Sequence, residues 1–151
     1  MINIVARIPK YQIHVYSLQQ YVKKFWNTEI EKIDLVSKTD RKEIYRIGFK
    51  NFEMYVVDYT EEVDDWYSAL LNTEFKTKQE ISIAIHKSDA CKENIYSIVK
   101  LFMDISKVTY TDMLITSEVH NDICFVGAYS KSSIKWDDSF YEQYRDFISE
   151  G

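Results

Sequence analysis

The chain has 151 residues, 46% of them hydrophobic and 15% aromatic, enough apolar surface to offset chain entropy and exclude a disordered segment. Three glycines and one proline argue against long flexible linkers and Gly-rich ligand loops. A net charge of −5 weighs against a nucleic-acid module, whose balance is basic.

In chain order, Ile2 to Ile8 alternates with the period of a strand buried on one face, and Pro9 ends it. Ser17 then opens a helix: Leu18, Tyr21, Val22, Phe25 and Trp26 recur at helical spacing, and Ser17 with Gln20 has capping-box spacing. Three strands are expected next, from about Ile30 to Val36, Glu43 to Phe49 and Phe52 to Tyr59, with Lys50-Asn51 as a hairpin connection. Thr60 reads as the cap of a second helix. Its first turn gathers Glu61, Glu62, Asp64 and Asp65, and Val63, Trp66, Tyr67, Leu70 and Leu71 form its apolar stripe.

Beyond a polar connection, Ile81, Ile83 and Ile85 mark a strand, and Asp89 reads as the cap of a third helix with Ile95, Ile98, Val99, Phe102 and Ile105 inward. Met113 to Val119 and Ile123 to Tyr129 flank a second hairpin, and a fourth helix is expected from Ser139. These elements predict one α+β domain spanning residues 1–151, a mainly antiparallel sheet of about six or seven strands packed with about four helices. The lack of strict β-α alternation counts against a doubly wound nucleotide fold.

The chain offers little catalytic chemistry. It has no Cys-x-x-Cys pair, no Gly-x-Ser-x-Gly elbow and no His-Glu-x-x-His segment, so no metal, cofactor or catalytic residue is assigned. Cys91 and Cys124 are expected as buried free thiols, as in a reducing compartment. The N-terminus carries no basic stretch leading into a long apolar run, and no apolar run approaches the ~20 residues that cross a bilayer. The expectation is a cytoplasmic protein with no membrane partner. His86 with Asp89 and Cys91 has metal-like spacing, but a helix cap and a buried thiol explain the same residues. His14 is read as a packing residue.

Charge is uneven along the chain. Residues 1–50 hold ten Lys and Arg against five Asp and Glu, a balance of +5, and residues 51–151 hold nine against nineteen, a balance of −10. Two stretches combine carboxylates with aromatic rings, 58–67 and 136–142. Carboxylates steer a basic protein and rings supply contact area. Asp58, Glu61, Glu62, Asp64, Asp65, Trp136, Asp137 and Asp138 are therefore the candidate partner-binding residues. The competing account is that both stretches are solvated helix N-termini.

In general character, an acidic Tyr- and Ile-rich domain without a catalytic motif resembles the immunity proteins of bacterial toxin–immunity systems, such as contact-dependent inhibition. The local echo runs from Ile81 to Trp136: an apolar strand ending in His86-Lys87, an amphipathic helix, then the hairpin from Asp112 to Glu118 and Ile123 to Gly127. The resemblance implies a non-catalytic inhibitor that binds a cognate toxin domain, a basic nuclease being one such partner, with no nucleic acid bound by the chain itself. Two alternatives belong to other classes. One is a small hydrolase or transferase using His120 with Glu118 and Asp122, whose carboxylates could tune the imidazole. The other is a homo-oligomeric module with tyrosines at its self-interface.

Overall fold

A computed structural model describes residues 2–9, 12–50, 52–64, 76–89, 91–109, 111, 113–119, 122–129 and 134–136. Among them are eight strands and two α-helices: β1 (Ile2–Ile8), α1 (Val15–Trp26), β2 (Ile30–Lys38), β3 (Lys42–Phe49), β4 (Glu53–Asp64), β5 (Lys76–Ile85), α2 (Lys92–Thr109), β6 (Met113–Val119), β7 (Asp122–Tyr129) and β8 (Ile134–Trp136). The described chain is thus dominated by strand, and the expectation of about four helices is corrected. The second of them was to begin at Thr60, but β4 continues through Thr60 to Asp64, and residues 65–71 lie outside the described residues. So does the helix expected from Ser139. No described helix is long and apolar enough to cross a membrane.

The chain divides into two compact units, residues 7–82 and residues 1–6 with 83–151. In the first, strands follow the order β2-β3-β4-β5. β2 pairs antiparallel with β3, and β3 with β4, in a register that sets Ile33 opposite Ile47 and Ile47 opposite Met54. Because side chains alternate along a strand, Ile47, Met54, Val56 and Ile81 all project from one face, and all four are fully buried. α1 covers that face. Its Leu18 and Val22 are buried, its entry residue Ile13 is bonded to Gln79, and Trp26 meets Phe52, which stacks on Phe49.

The start of α1 departs from the sequence expectation. The helix opens at Val15, and His14 caps it: the Nδ1 atom accepts from the Tyr16 N–H at 3.3 Å. An imidazole with a lone pair on Nδ1 does what Ser or Asp does at other N-caps, so His14 is a cap and Ser17 lies inside the helix. At the other end Asn27 adopts φ 47°, the left-handed conformation that Asn tolerates, and Thr28 N–H bonds the Lys23 carbonyl at 3.1 Å. Lys23 and Lys24 complement the negative end of the helix dipole. Substituting His14→Ala is expected to remove about 0.5–1 kcal/mol of stability, read as a lower urea midpoint with an unchanged slope.

In the second unit the order is β1-β6-β7-β8, with β6–β7 and β7–β8 antiparallel. The α2 stripe read from the sequence (Ile95, Ile98, Val99, Phe102 and Ile105) is buried throughout, and α2 packs against β6, whose Met113, Leu114 and Ile115 are fully buried. Buried Ser106 is satisfied by donating to the Thr111 carbonyl, while Thr111 N–H bonds the Ser106 carbonyl at 3.1 Å. Cys91 is a free thiol, as expected, but exposed rather than buried. Its carbonyl takes the first intrahelical bond, from Ile95 N–H at 3.0 Å. Asp89, read as the cap, belongs to the 3-10 turn Lys87–Asp89 ahead of the helix.

Candidate functional site

The acidic stretch beginning at Asp58 extends a strand. β4 leaves β3 at the rung Lys42↔Tyr59 and runs on to Asp64. A helix would have gathered these carboxylates at its first turn. A strand deals them alternately: Asp58 and Glu62 fall to the face that carries α1, and Glu61 to the other. Glu61 and Glu62 are both exposed. Asp65, Asp137 and Asp138 lie outside the described residues, and Trp136 belongs to β8, opposite Gly127.

Strand pairing adds a carboxylate that sequence reading missed. Glu43 of β3 stands directly opposite Asp58, so the acidic end of this sheet begins with two like charges on one rung, an arrangement that destabilises a strand pair. Glu43 is compensated: it accepts from Tyr45 Oη at 2.6 Å and pairs with Lys38 at 3.4 Å. Those two hydrogen bonds hold its carboxyl below the usual range, and Glu43 in turn pushes the Tyr45 phenol up to about 12. Asp58 is half-buried and accepts only from the neutral Gln79 amide among the bonds described, at 2.8 Å. Burial raises its pKa, and the charge of Glu43 adds to the rise.

Gln79 is fully buried and uses its whole amide. Oε1 accepts from Ile13 N–H at 3.0 Å, and Nε2 donates to the Ile13 carbonyl and to Asp58 Oδ1, both at 2.8 Å. Beside it, Gln12 Nε2 donates to the carbonyls of Tyr59 at 2.8 Å and Lys78 at 3.2 Å. Both glutamines tie the segment before α1 to β4 and β5 at the acidic end.

The opposite face of the same sheet is a paired polar and aromatic surface. Arg46 binds Asp34 at 2.9 Å and Glu53 at 3.4 Å, Tyr55 donates to Glu53 at 2.9 Å, and Tyr59 donates to Glu80 at 2.8 Å. Arg7 reaches Glu80 at 3.5 Å. The hydrogen bond from Arg46 lowers the Asp34 carboxyl, and the bond to Glu53 raises the Tyr55 phenol. Tyrosine and arginine are enriched where proteins meet, and here both are held in place by neighbours.

His120 lies outside the described residues, and Glu118 and Asp122 fall in the strands of the β6–β7 hairpin, opposite Ile123 and Val119. Among the described residues no three His, Cys, Asp or Glu side chains gather to hold a metal ion. A shallow open hollow on α1 is walled by that helix's own Ser17, Gln20, Tyr21 and Lys24, so it does not enclose a ligand. Comparison with known proteins finds no matching family model, no matching curated protein and no matching solved structure.

Proposed function

We propose that this chain is a non-catalytic protein-binding domain of the immunity type, which works in the cytoplasm by binding and neutralising a basic toxin domain. The observation that carries the reading is the acidic end of the β3–β4 pair. Asp58 and Glu43 share one rung there, and exposed Glu61 and Glu62 continue the strand past its last β3 partner. A lysine or arginine brought against Asp58 offsets by its charge both the cost of burying the carboxylate and its repulsion by Glu43. Attraction therefore gains more at this position than at an isolated surface carboxylate. On the opposite face of the sheet, which Glu61 shares, Tyr55, Tyr59 and Arg46 supply the anchoring side chains that such an interface uses.

Affinity capture from the native host, with the wild-type chain and the Glu61→Lys/Glu62→Lys variant as parallel baits, tests this. Wild type is expected to retain a basic protein that the variant, equally folded, loses at physiological salt. Equal recovery of one protein by both baits places the interface elsewhere.

A further inference from the structure

The outer edge of β2 is distinct from the acidic end of the sheet. β2 closes the strand order on one side, with β3 as its partner, so one side of its backbone presents N–H and carbonyl groups that no described strand pairs. Two irregularities interrupt its ladder, one between Ile30 and Ile33 and one between Leu35 and Ser37. Between them Ile33, Asp34 and Leu35 run in regular register against Ile47, Arg46 and Tyr45. Leu35 and Val36 are 52% and 56% exposed. Five large apolar or aromatic side chains are exposed among the described residues, and only these two are neighbours in the chain. Lys32, itself exposed, reaches Asp34 Oδ1 at 3.6 Å, while Arg46 occupies Asp34 Oδ2 at 2.9 Å.

Bulges and charges on an edge deter pairing with an arbitrary strand, which would leave the charges unmatched. A second copy matches them. Opposed residues of an antiparallel pair share a face, so two copies related by a two-fold axis meet with one residue opposite itself. With Ile33 at that centre, Lys32 of each copy stands opposite Asp34 of the other, whose Oδ1 is the oxygen that Arg46 leaves to an exposed lysine. With Lys32 or Asp34 at the centre, like charges face each other and destabilise the pair. We propose that β2 is a self-association edge, pairing antiparallel with β2 of a second copy about Ile33. Leu35 and Val36 then pack toward Ile30 of the second copy. The regular stretch is short, so the dimer is weak and reversible.

Sedimentation equilibrium across protein concentrations from about 1 µM to about 1 mM tests this. Wild type is expected to rise from the 18.0 kDa monomer toward twice that mass. Lys32→Glu, which sets a carboxylate opposite Asp34, is expected to stay monomeric with an unchanged melting temperature. The register is read by oxidising single-cysteine variants in a Cys91→Ser/Cys124→Ser background. Ile33→Cys is expected to form a disulfide-linked dimer. The more exposed Lys32→Cys should form much less, since it opposes Asp34 rather than itself. A wild type that stays monomeric at about 1 mM, or a Lys32→Glu variant that associates as wild type does, overturns the proposal. So does crosslinking at Lys32→Cys that equals or exceeds that at Ile33→Cys. None of these variants alters residues 58–62, so the outcome is independent of the partner reading.

Discussion

Gln79→Leu is expected to destabilise the protein by about 2–4 kcal/mol, although it exchanges one side chain for another of similar length. The substitution leaves Ile13 N–H and the Ile13 carbonyl without the partners they have at 3.0 and 2.8 Å, and each deprived group costs about 1–3 kcal/mol where water does not reach it. Ile13 is only partly buried, which keeps the total below the sum for two sealed groups. Asp58 loses its Gln79 donor at the same time. Leucine at a fully buried position recovers some transfer energy, but it cannot bridge strand to helix entry. Urea unfolding reads the loss as a lower midpoint. A loss under about 1 kcal/mol would mean that these bonds are decorative.

Phe102→Ala carries the second large effect, an expected loss of about 3–5 kcal/mol. Phe102 is fully buried on α2, between Val99 and Ile105 of the same stripe, and α2 packs on β6 at fully buried Met113 to Ile115. Truncation removes a ring from a surround that has no exposed side to collapse from, so transfer and cavity terms add. Val108, 58% exposed on the same helix, is the matched control, with an expected change within about 0.5 kcal/mol for Val108→Ala. Comparable losses at both positions would show that α2 is not seated by that stripe.

Hydrophobic alternation and helical spacing were the legible part of this chain. β1 begins and ends where its Ile alternation does, and every residue of the α2 stripe is buried. Reading failed where polar residues occupy buried positions or charged residues imitate a helix signal. β5 begins at Lys76, five residues before Ile81, because Thr77 and Gln79 continue its buried face without an apolar side chain to announce it. Thr60 followed by four acids has the composition of a helix start, yet it belongs to β4: strand pairing overrode a local charge preference of a few tenths of a kcal/mol to about 1 kcal/mol. His14 escaped notice as a cap because the cap preference is known for Ser, Thr, Asp and Asn.

The candidate site divides in the same way. Asp58, Glu61 and Glu62 were visible as acidic residues near aromatics, and all three belong to one strand. Glu43, fifteen positions before Asp58 in the numbering, joins them only through the β3–β4 register. Gln79, the group that joins Asp58 to the entry of α1, carries no charge or motif for a sequence to reveal. Local spacing identifies the carboxylates, but pairing decides which of them meet.

The most direct test of the partner-binding account is the association rate of the captured protein with wild type and with Glu61→Lys/Glu62→Lys, measured across ionic strength. Electrostatic steering acts mainly on this rate and is screened within a Debye length of about 8 Å at physiological salt. The account predicts fast association for wild type that slows steeply as salt rises. The variant should be about tenfold or more slower at low salt, with a flattened dependence. Superimposable rates for the two proteins at every salt concentration would contradict it.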